Sequence, residues 1–416
     1  MKDNIQDLID KGQIEKTPLK KRITISGENI TYDVYRFPLD LLYYNDQNGR
    51  INTAYHQFLA SNTKIPPAAG DSEYNQLFEN FIYNSKKSAM DKTQESIELK
   101  GQQEPGVILS DGRIIDGNRR FTALRRIQKK TNIPQYFEAV ILTYDITNKI
   151  DEKKIKELEL DLQLGREERV EYDPIDRIFD IYNTIVIQKM MTLEEYKLAS
   201  GAGNTIGLKK AIRQAELIVK FIDIVSPGSN PVDKFFLARE LKLDGPIEEI
   251  EPTLNKLKDD KDSVTTNVLT TLAVQVATSE IGDRARTLKI RSIKNNILNN
   301  PEIKKHYLQA TDSHVDDIFE FFQENPIETT PDLKENLTKN PNVFESANSL
   351  IRTTNRLITK GERASERRQS LVMLIEMRDN LSDLTKEELK KLHEDEFIEA
   401  KEVLMKIRDL AFKLSK

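Results

Sequence analysis

Cysteine is absent from the 416 residues, and histidine occurs only four times. Without cysteine the chain cannot form disulfides, use a thiolate nucleophile or hold zinc through sulfur. The histidines are far apart in the sequence, at His56, His306, His314 and His393. The sequence therefore predicts no metal site built from protein side chains alone, and a metal would have to be held by carboxylates and phosphates.

Long apolar runs are also missing, since no stretch approaches the roughly 18 residues that a membrane span needs. The first residues, Met1 to Gln13, are acidic and polar, unlike a secretory signal peptide. We therefore expect a cytoplasmic protein without a membrane partner.

Charge of one sign does not dominate, because the net charge is -5 and 31% of the residues are charged. This balance argues against a surface that is basic throughout, but it allows local basic patches. Positive residues cluster in Arg113–Lys130, Arg284–Lys294 and Arg352–Arg368. Each cluster alone is equally typical of an ordinary solvated helix face.

The length predicts two or three domains, and the pattern of apolar residues predicts an α+β start followed by helices. Two strand pairs are expected, a hairpin around Ser26–Asn29 and a second pair around Ser110–Gly112. A further strand is expected over Tyr136–Thr143. The predicted helices of this part cover Tyr74–Lys100, a segment that starts just past Gly117, and Asp151–Gln163.

The rest of the chain is predicted to be helical. Leu193–Val225 has the pattern helix, Gly-rich turn, helix, which is typical of a helix-turn-helix motif. Lys209, Lys210 and Arg213 would then face DNA from the second helix, although this stretch alone favours a plain helical hairpin. The last segment, Lys386–Lys416, carries an amphipathic stripe that fits a docking or dimer helix, and an intramolecular core face is the favoured interpretation.

The segment most suited to chemistry is Asp116-Gly117-Asn118-Arg119-Arg120, where a predicted strand runs into a helix. The first N–H groups of a helix lack intrahelical partners and attract anions. Gly117 lets a ligand approach the backbone, and two arginines add forks suited to phosphate oxygens. These residues predict a phosphate site, although a strand-Gly-helix turn alone is weakly specific.

This segment resembles the arginine box of the ParB/sulfiredoxin-like family, of the form Gly-x-Arg-Arg-x-x-Ala, here Gly117 to Ala123. Three further segments are similar to the family in the same order: Arg36–Ile51 with Asn45 and Arg50, the turn Gly101–Pro105, and Leu162–Tyr182 with Arg166 and Glu167. The resemblance covers about residues 30 to 225 and leaves the C-terminal half unassigned.

The resemblance implies a small α+β domain that binds CTP, or ATP in relatives, with Mg2+, and a homodimer that closes as a clamp on DNA. It implies a nucleotide-binding domain over residues 1–150 and a helix-turn-helix-like region over 151–229. The helical pattern of the sequence, and not the resemblance, predicts an all-α domain over 230–416, for which a protein partner is an alternative role. The implied nucleotide-binding residues are Arg50, Gln103, Glu104, Pro105, Asp116, Gly117, Asn118, Arg119, Arg120, Arg166 and Glu167.

Two departures weaken the expectation of hydrolysis. Leu162-Gln163 stand where the family has a Glu-Asn pair that helps to hold the metal, and Asn118 replaces a common Glu. Sulfiredoxin chemistry is excluded because its nucleophile is a cysteine. A weak NTPase or CTPase, a nucleotide-dependent nuclease of a restriction or phage-defence type, and an adaptor on a degenerate fold remain alternatives.

Overall fold

The computed structural model describes residues 5–25, 28–49, 51–164, 173–278 and 282–416. The fold is α+β, with a six-stranded mixed sheet in the N-terminal part and helices in the remainder. The strands are β1 (Glu15–Ile25), β2 (Glu28–Pro38), β3 (Tyr43–Tyr44), β4 (Gly106–Leu109), β5 (Arg113–Asp116) and β6 (Tyr136–Leu142).

The sheet has the order β1-β2-β6-β4-β5-β3, with parallel pairing only between β4 and β6 and between β3 and β5 among these strands. Both predicted strand pairs are confirmed, because β1 pairs antiparallel with β2 and β4 with β5. The centre of the first turn, residues 26–27, lies outside the described residues. All four residues of β4 are buried, as expected for a strand covered on both faces.

Helices cover both faces of the sheet. The helices of the N-terminal part are α1 (Ile5–Asp10), α2 (Asn52–Ser61), α3 (Ser72–Ser85), α4 (Lys87–Lys100), α5 (Asn118–Thr131) and α6 (Lys149–Leu164). Side chains of α2 to α5 pack in one apolar cluster with Ile108, Ile114 and Phe137 of the sheet. Leu162 and other apolar residues of α6 pack on the opposite face.

The helix predicted over Tyr74–Lys100 is two helices, which corrects that expectation. Lys86 leaves the helical backbone region, with φ -160° and ψ 80°, between α3 and α4. The break lets the two short helices bury separate apolar faces, one through Phe78 and the other through Met90. Periodicity alone did not indicate it, since no proline or glycine marks the position.

The remaining helices, apart from the last two, form one continuous apolar core. They are α7 (Pro174–Tyr182), α8 (Leu193–Ser200), α9 (Ile206–Val225), α10 (Phe235–Glu240), α11 (Asp244–Lys256), α12 (Lys261–Thr278), α13 (Asp283–Ile293), α14 (Pro301–Glu324), α15 (Thr330–Lys339), α16 (Pro341–Asp383), α17 (Lys386–Leu389) and α18 (Glu394–Leu414). Helix α7 begins at Pro174, and the side chain of Asp173 caps it by accepting from the N–H of Ile175. The helix, turn and helix expected over Leu193–Val225 are α8 and α9.

The C-terminal stripe of Lys386–Lys416 does not pack into the core, so the favoured interpretation of this segment was wrong. None of the side chains of α18 is buried, and Leu404, Leu410 and Leu414 are exposed. The second half of α16 is exposed in the same way. No described helix is both long enough and apolar enough to cross a bilayer.

Candidate functional site

The candidate site lies where β5 ends and α5 begins. Gly117 is the N-cap of α5, with φ +103°, and no side chain caps this helix start. A Cβ at Gly117 would lie 2.7 Å from Cζ of Phe137 and 3.1 Å from Nη2 of Arg120. The backbone conformation and the close packing therefore both require glycine here.

Two cations flank the carboxylate that precedes this glycine. Arg120 Nη2 lies 2.9 Å from Asp116 Oδ2, and Lys21 Nζ lies 3.5 Å from the same oxygen. Lys21 is only 6% exposed and also donates to the carbonyl oxygen of Pro105. A buried ammonium group needs such partners to offset its loss of hydration. Lys21 thereby ties the Gly101–Pro105 turn to the start of α5.

Two buried polar atoms at the helix start have no hydrogen-bond partner among the described residues. They are Oδ1 of Asn118, whose residue is 7% exposed, and Nε of Arg120. Leaving a buried polar atom unsatisfied costs about 1–3 kcal/mol. The site therefore has capacity for a ligand that both donates and accepts hydrogen bonds. Arg119 follows on the same turn and is half-buried.

The turn before β4 is held by Gln102. Its Nε2 donates to the carbonyl of Glu138 at 2.7 Å, and its Oε1 accepts from the N–H of Glu138 at 3.0 Å. Of the predicted site residues in this turn, Gln103 and Glu104 are exposed and Pro105 is half-buried. The Gln103 amide donates to the carbonyl of Lys100, so it stabilises the turn.

Further along α5, positive side chains have structural partners. Arg125 Nε lies 2.8 Å from Glu79 Oε2, and Lys129 contacts the same carboxylate. Arg126 lies over the ring of Tyr83, 4.0 Å from its centroid. These contacts leave Arg119 and Arg120 as the arginines of α5 that lie at the candidate site.

Three predicted site residues, Arg50, Arg166 and Glu167, lie outside the described residues. The neighbouring Gly49 donates its N–H to Glu159 Oε1 of α6 at 3.3 Å. Leu162, which the sequence resemblance aligns with a carboxylate, is buried against the sheet and cannot serve as a metal ligand.

Polar residues that the sequence did not single out connect helices of the N-terminal part to the helices that follow it in the chain. Thr53 of α2 donates to Asp176 of α7, and Arg239 Nη1 lies 3.8 Å from the same carboxylate. Burial raises the pKa of Asp176 to about 7. The hydroxyl of Tyr196 donates to Asp180 at 2.8 Å, and Lys156 pairs with Asp180 at 2.6 Å.

The predicted DNA-contacting residues lie at the start of α9, and two of the three are already paired. Lys210 Nζ lies 2.6 Å from Glu248 Oε1, and Arg213 pairs with Glu251, both acidic partners belonging to α11. Lys209 is exposed. Sequence spacing placed all three near the helix start, but only the packing of α11 on α9 decided which charges are neutralised.

No family model and no curated protein matches this chain. Among solved structures, it is similar to a Pnob8-like ParB-N domain, with 12% sequence identity and a TM-score of 0.32, over 67% of this chain and 97% of that chain. This remote likeness assigns neither a family nor a ligand.

Proposed function

We propose that the protein binds a nucleoside triphosphate at the start of α5. The N–H groups after Gly117, together with Asn118, Arg119 and Arg120, hold the phosphates. Gln103, Glu104 and Pro105 shape the side that receives the ribose or the base, and Lys21 joins the two parts. CTP is the favoured ligand, with ATP as the alternative. Arg50, Arg166 and Glu167 are also proposed to bind the nucleotide, and only the sequence resemblance supports their inclusion.

One observation carries this proposal. The start of α5 has no side-chain cap, and beside it lie the buried carbonyl oxygen of Asn118 and the buried Nε of Arg120, neither of which has a hydrogen-bond partner within the described part of the chain. A nucleotide would supply hydrogen-bond partners for both atoms. Its phosphate oxygens would accept from the backbone and from Arg120, while a sugar hydroxyl or base amino group would donate to Asn118.

The ion pair between Arg120 and Asp116 competes with phosphate binding. A bound phosphate places negative charge next to Asp116, which repels it unless a cation lies between them. Asp116 would be the residue that holds Mg2+, and the charge of that ion would offset this repulsion. We therefore expect nucleotide binding to depend on Mg2+.

DNA association belongs to the same proposal. Lys209 is available at the surface, whereas Lys210 and Arg213 would have to exchange Glu248 and Glu251 for DNA phosphates. Such contacts are electrostatic, and their affinity falls as salt increases.

We also place a homodimer interface at the end of α16 and on α18. Exposed apolar residues are concentrated there: Leu371, Val372, Met373, Leu374, Ile375, Met377, Ile398, Val403, Leu404, Met405, Leu410, Phe412 and Leu414. Apart from Lys401 and Asp409, the first half of α18 is acidic and the second half is basic. Two antiparallel copies of α18 therefore pair opposite charges.

If α18 folded back on its own α16, like charges would be brought together instead of opposite ones. Glu376, Asp379 and Asp383 near the end of α16 would then lie beside the acidic start of α18. This like-charge repulsion favours a second copy of the chain over an intrachain hairpin.

No observation on the described residues adds support to the nuclease alternative, and the adaptor alternative is an outcome of the tests below.

The decisive experiment is a thermal-shift panel of CTP, ATP, GTP and UTP, each with Mg2+. We expect one nucleotide to raise the melting temperature, since a ligand that binds only the folded state stabilises it. Arg120→Ala should abolish this shift. Lys130→Ala is the matched control, because it removes one positive charge from the far end of the same helix, where Lys130 is exposed.

No shift with any nucleotide would contradict the proposal and favour the adaptor. Equal loss of the shift in both variants would show that general charge is responsible instead of the site.

A further inference from the structure

A line of positive charge runs along the solvent-facing side of α16. Its members are exposed and recur every three or four residues, so they share one helix face: Arg352, Arg356, Lys360, Arg363 and Arg367. We refer to these five residues as the α16 basic face. At 1.5 Å per residue the face is about 22 Å long. The opposite side of the helix, including Leu350 and Leu357, is buried in the helical core.

This arrangement is unfavourable for the helix itself. Each member lies three or four residues from the next, and like charges at this spacing destabilise a helix. None of the five forms a salt bridge within the part of the chain that the structure describes. Arg352 donates to Ser349 at 3.1 Å, and Lys360 Nζ lies 3.4 Å from His306 Nδ1. The charges are thus available to an external anion.

Neighbouring helices add to the same surface. A groove of about 440 Å3 runs between α14 and α16, lined by His306, Gln309, Arg356 and Lys360 among others. On the other side, Lys289 of α13 donates to Asn355 at 3.2 Å. The positive surface is therefore broader than one helix, although the whole chain carries a net charge of -5.

The shape of this surface fits a stiff polyanion. A straight face of about 22 Å spans roughly six base pairs of duplex DNA at 3.4 Å each. The face contains no aromatic residue on which unpaired bases could stack, as single-strand binders use. Over this stretch the apolar side of the helix is buried, so it is not free to insert into a lipid surface.

We propose that the α16 basic face binds the phosphate backbone of double-stranded DNA without reading base sequence. This inference rests on the proposed DNA association and moves its main contact from α9 to α16. It does not depend on the nucleotide site, because DNA binding can be measured without nucleotide.

The test measures the affinity of the full chain for a labelled duplex of arbitrary sequence by fluorescence anisotropy over a salt series. The triple variant Arg356→Ala, Lys360→Ala, Arg363→Ala should raise Kd at least about tenfold near 0.1 M salt. It should also reduce the slope of log Kd against log salt by about two to three, since each phosphate contact contributes about 0.9. Two unrelated duplexes should behave alike.

The matched control removes three exposed positive charges elsewhere, as Lys386→Ala, Lys390→Ala, Lys391→Ala around α17. It should leave Kd within about twofold of the wild type. The α16 variant should melt at the same or a slightly higher temperature, because its like-charge neighbours are removed. A loss of affinity in this variant would then not come from unfolding.

Unchanged Kd and slope in the α16 variant would overturn the inference, as would equal losses in the α17 control. If only Lys209→Ala lost DNA binding, the main DNA contact would lie on α9 instead of α16. Equal affinity for single-stranded DNA, or binding to anionic vesicles with no binding to duplex DNA, would also overturn it. A missing nucleotide shift in wild type with intact DNA binding would defeat only the nucleotide proposal.

Discussion

Gly117 joins the strand and the helix of the candidate site in a conformation that other residues rarely adopt. Its φ is +103°, and the ring of Phe137 lies directly where a side chain would project. Displacement of this ring would also disturb the sheet, because Phe137 pairs through its backbone with Phe37 of β2. The site and the sheet are therefore coupled through one residue.

We expect Gly117→Ala to destabilise the protein by about 2–4 kcal/mol, from the left-handed conformation and the overlap with Phe137. The nucleotide-dependent thermal shift should disappear as well. Chemical denaturation measures the first effect and the thermal-shift panel the second. Gly207→Ala is the control, since a Cβ there meets no atom within 4 Å and should change stability by no more than about 1 kcal/mol. Equal stability of the two variants would contradict this account.

Asp176 gives the protein a pH-dependent stability of defined sign. Burial raises its pKa in the folded state to about 7, while an unfolded chain has a value of about 3.9. Between these values the folded state binds more protons, so the free energy of unfolding falls as pH rises. The contribution is fully present below about pH 4 and is lost as pH rises through about 7.

Asp176→Asn should remove this dependence while keeping an oxygen that can accept from Thr53. Relative to the wild type, the variant should gain stability between about pH 4 and pH 7, by up to about 4 kcal/mol. Urea denaturation at several pH values measures the difference. A constant difference between the two proteins across this range would show that Asp176 titrates normally.

At the scale of elements, the ion pairs between α9 and α11 differ in burial. Glu251 is 2% exposed, whereas the Glu248 side chain is 64% exposed. Arg213→Ala leaves a buried carboxylate without its partner and should cost about 1–3 kcal/mol, after allowing for the partial exposure of Arg213. Lys210→Ala removes a surface pair and should cost less than about 1 kcal/mol.

Urea denaturation of both variants checks this order. The double variant Arg213→Ala, Glu251→Gln should recover part of the loss, because the buried charge is then removed. If the single variants were equally stable, the contact between α9 and α11 would not depend on Glu251. Any DNA-binding defect of Arg213→Ala has to be compared with this loss of stability.

At the scale of the whole molecule, the exposed apolar surface of α16 and α18 predicts self-association. Light scattering after size exclusion should give a mass of twice the 48.0 kDa of one chain at micromolar concentrations. The variant Leu404→Glu, Leu410→Glu should be monomeric, since it buries two unpaired charges in the interface. Leu198→Glu is the control, because Leu198 on α8 is also exposed but lies outside this surface.

A wild-type monomer at these concentrations would contradict the dimer and leave the apolar surface for another protein. A dimer that persists in the double variant would place the interface elsewhere. High salt should weaken the dimer only in part, because apolar contacts remain when charge pairing is screened.

The sequence by itself determined the α+β start, the two strand pairs and the helix that begins after Gly117. These features follow from local rules, namely the alternation of apolar residues, turn residues and the helix period. It also singled out Gly117–Arg120 as the candidate site, because the glycine and the arginines are neighbours in the chain.

Only the tertiary structure decided which charges meet. Lys21 reaches Asp116 from a strand 95 residues earlier, and Arg213 meets Glu251 from a helix 38 residues away. It also decided that α18 does not pack into the core, although its periodicity was that of a core helix. A periodic pattern specifies that an apolar face must be covered, but sheet order and helix packing decide what covers it.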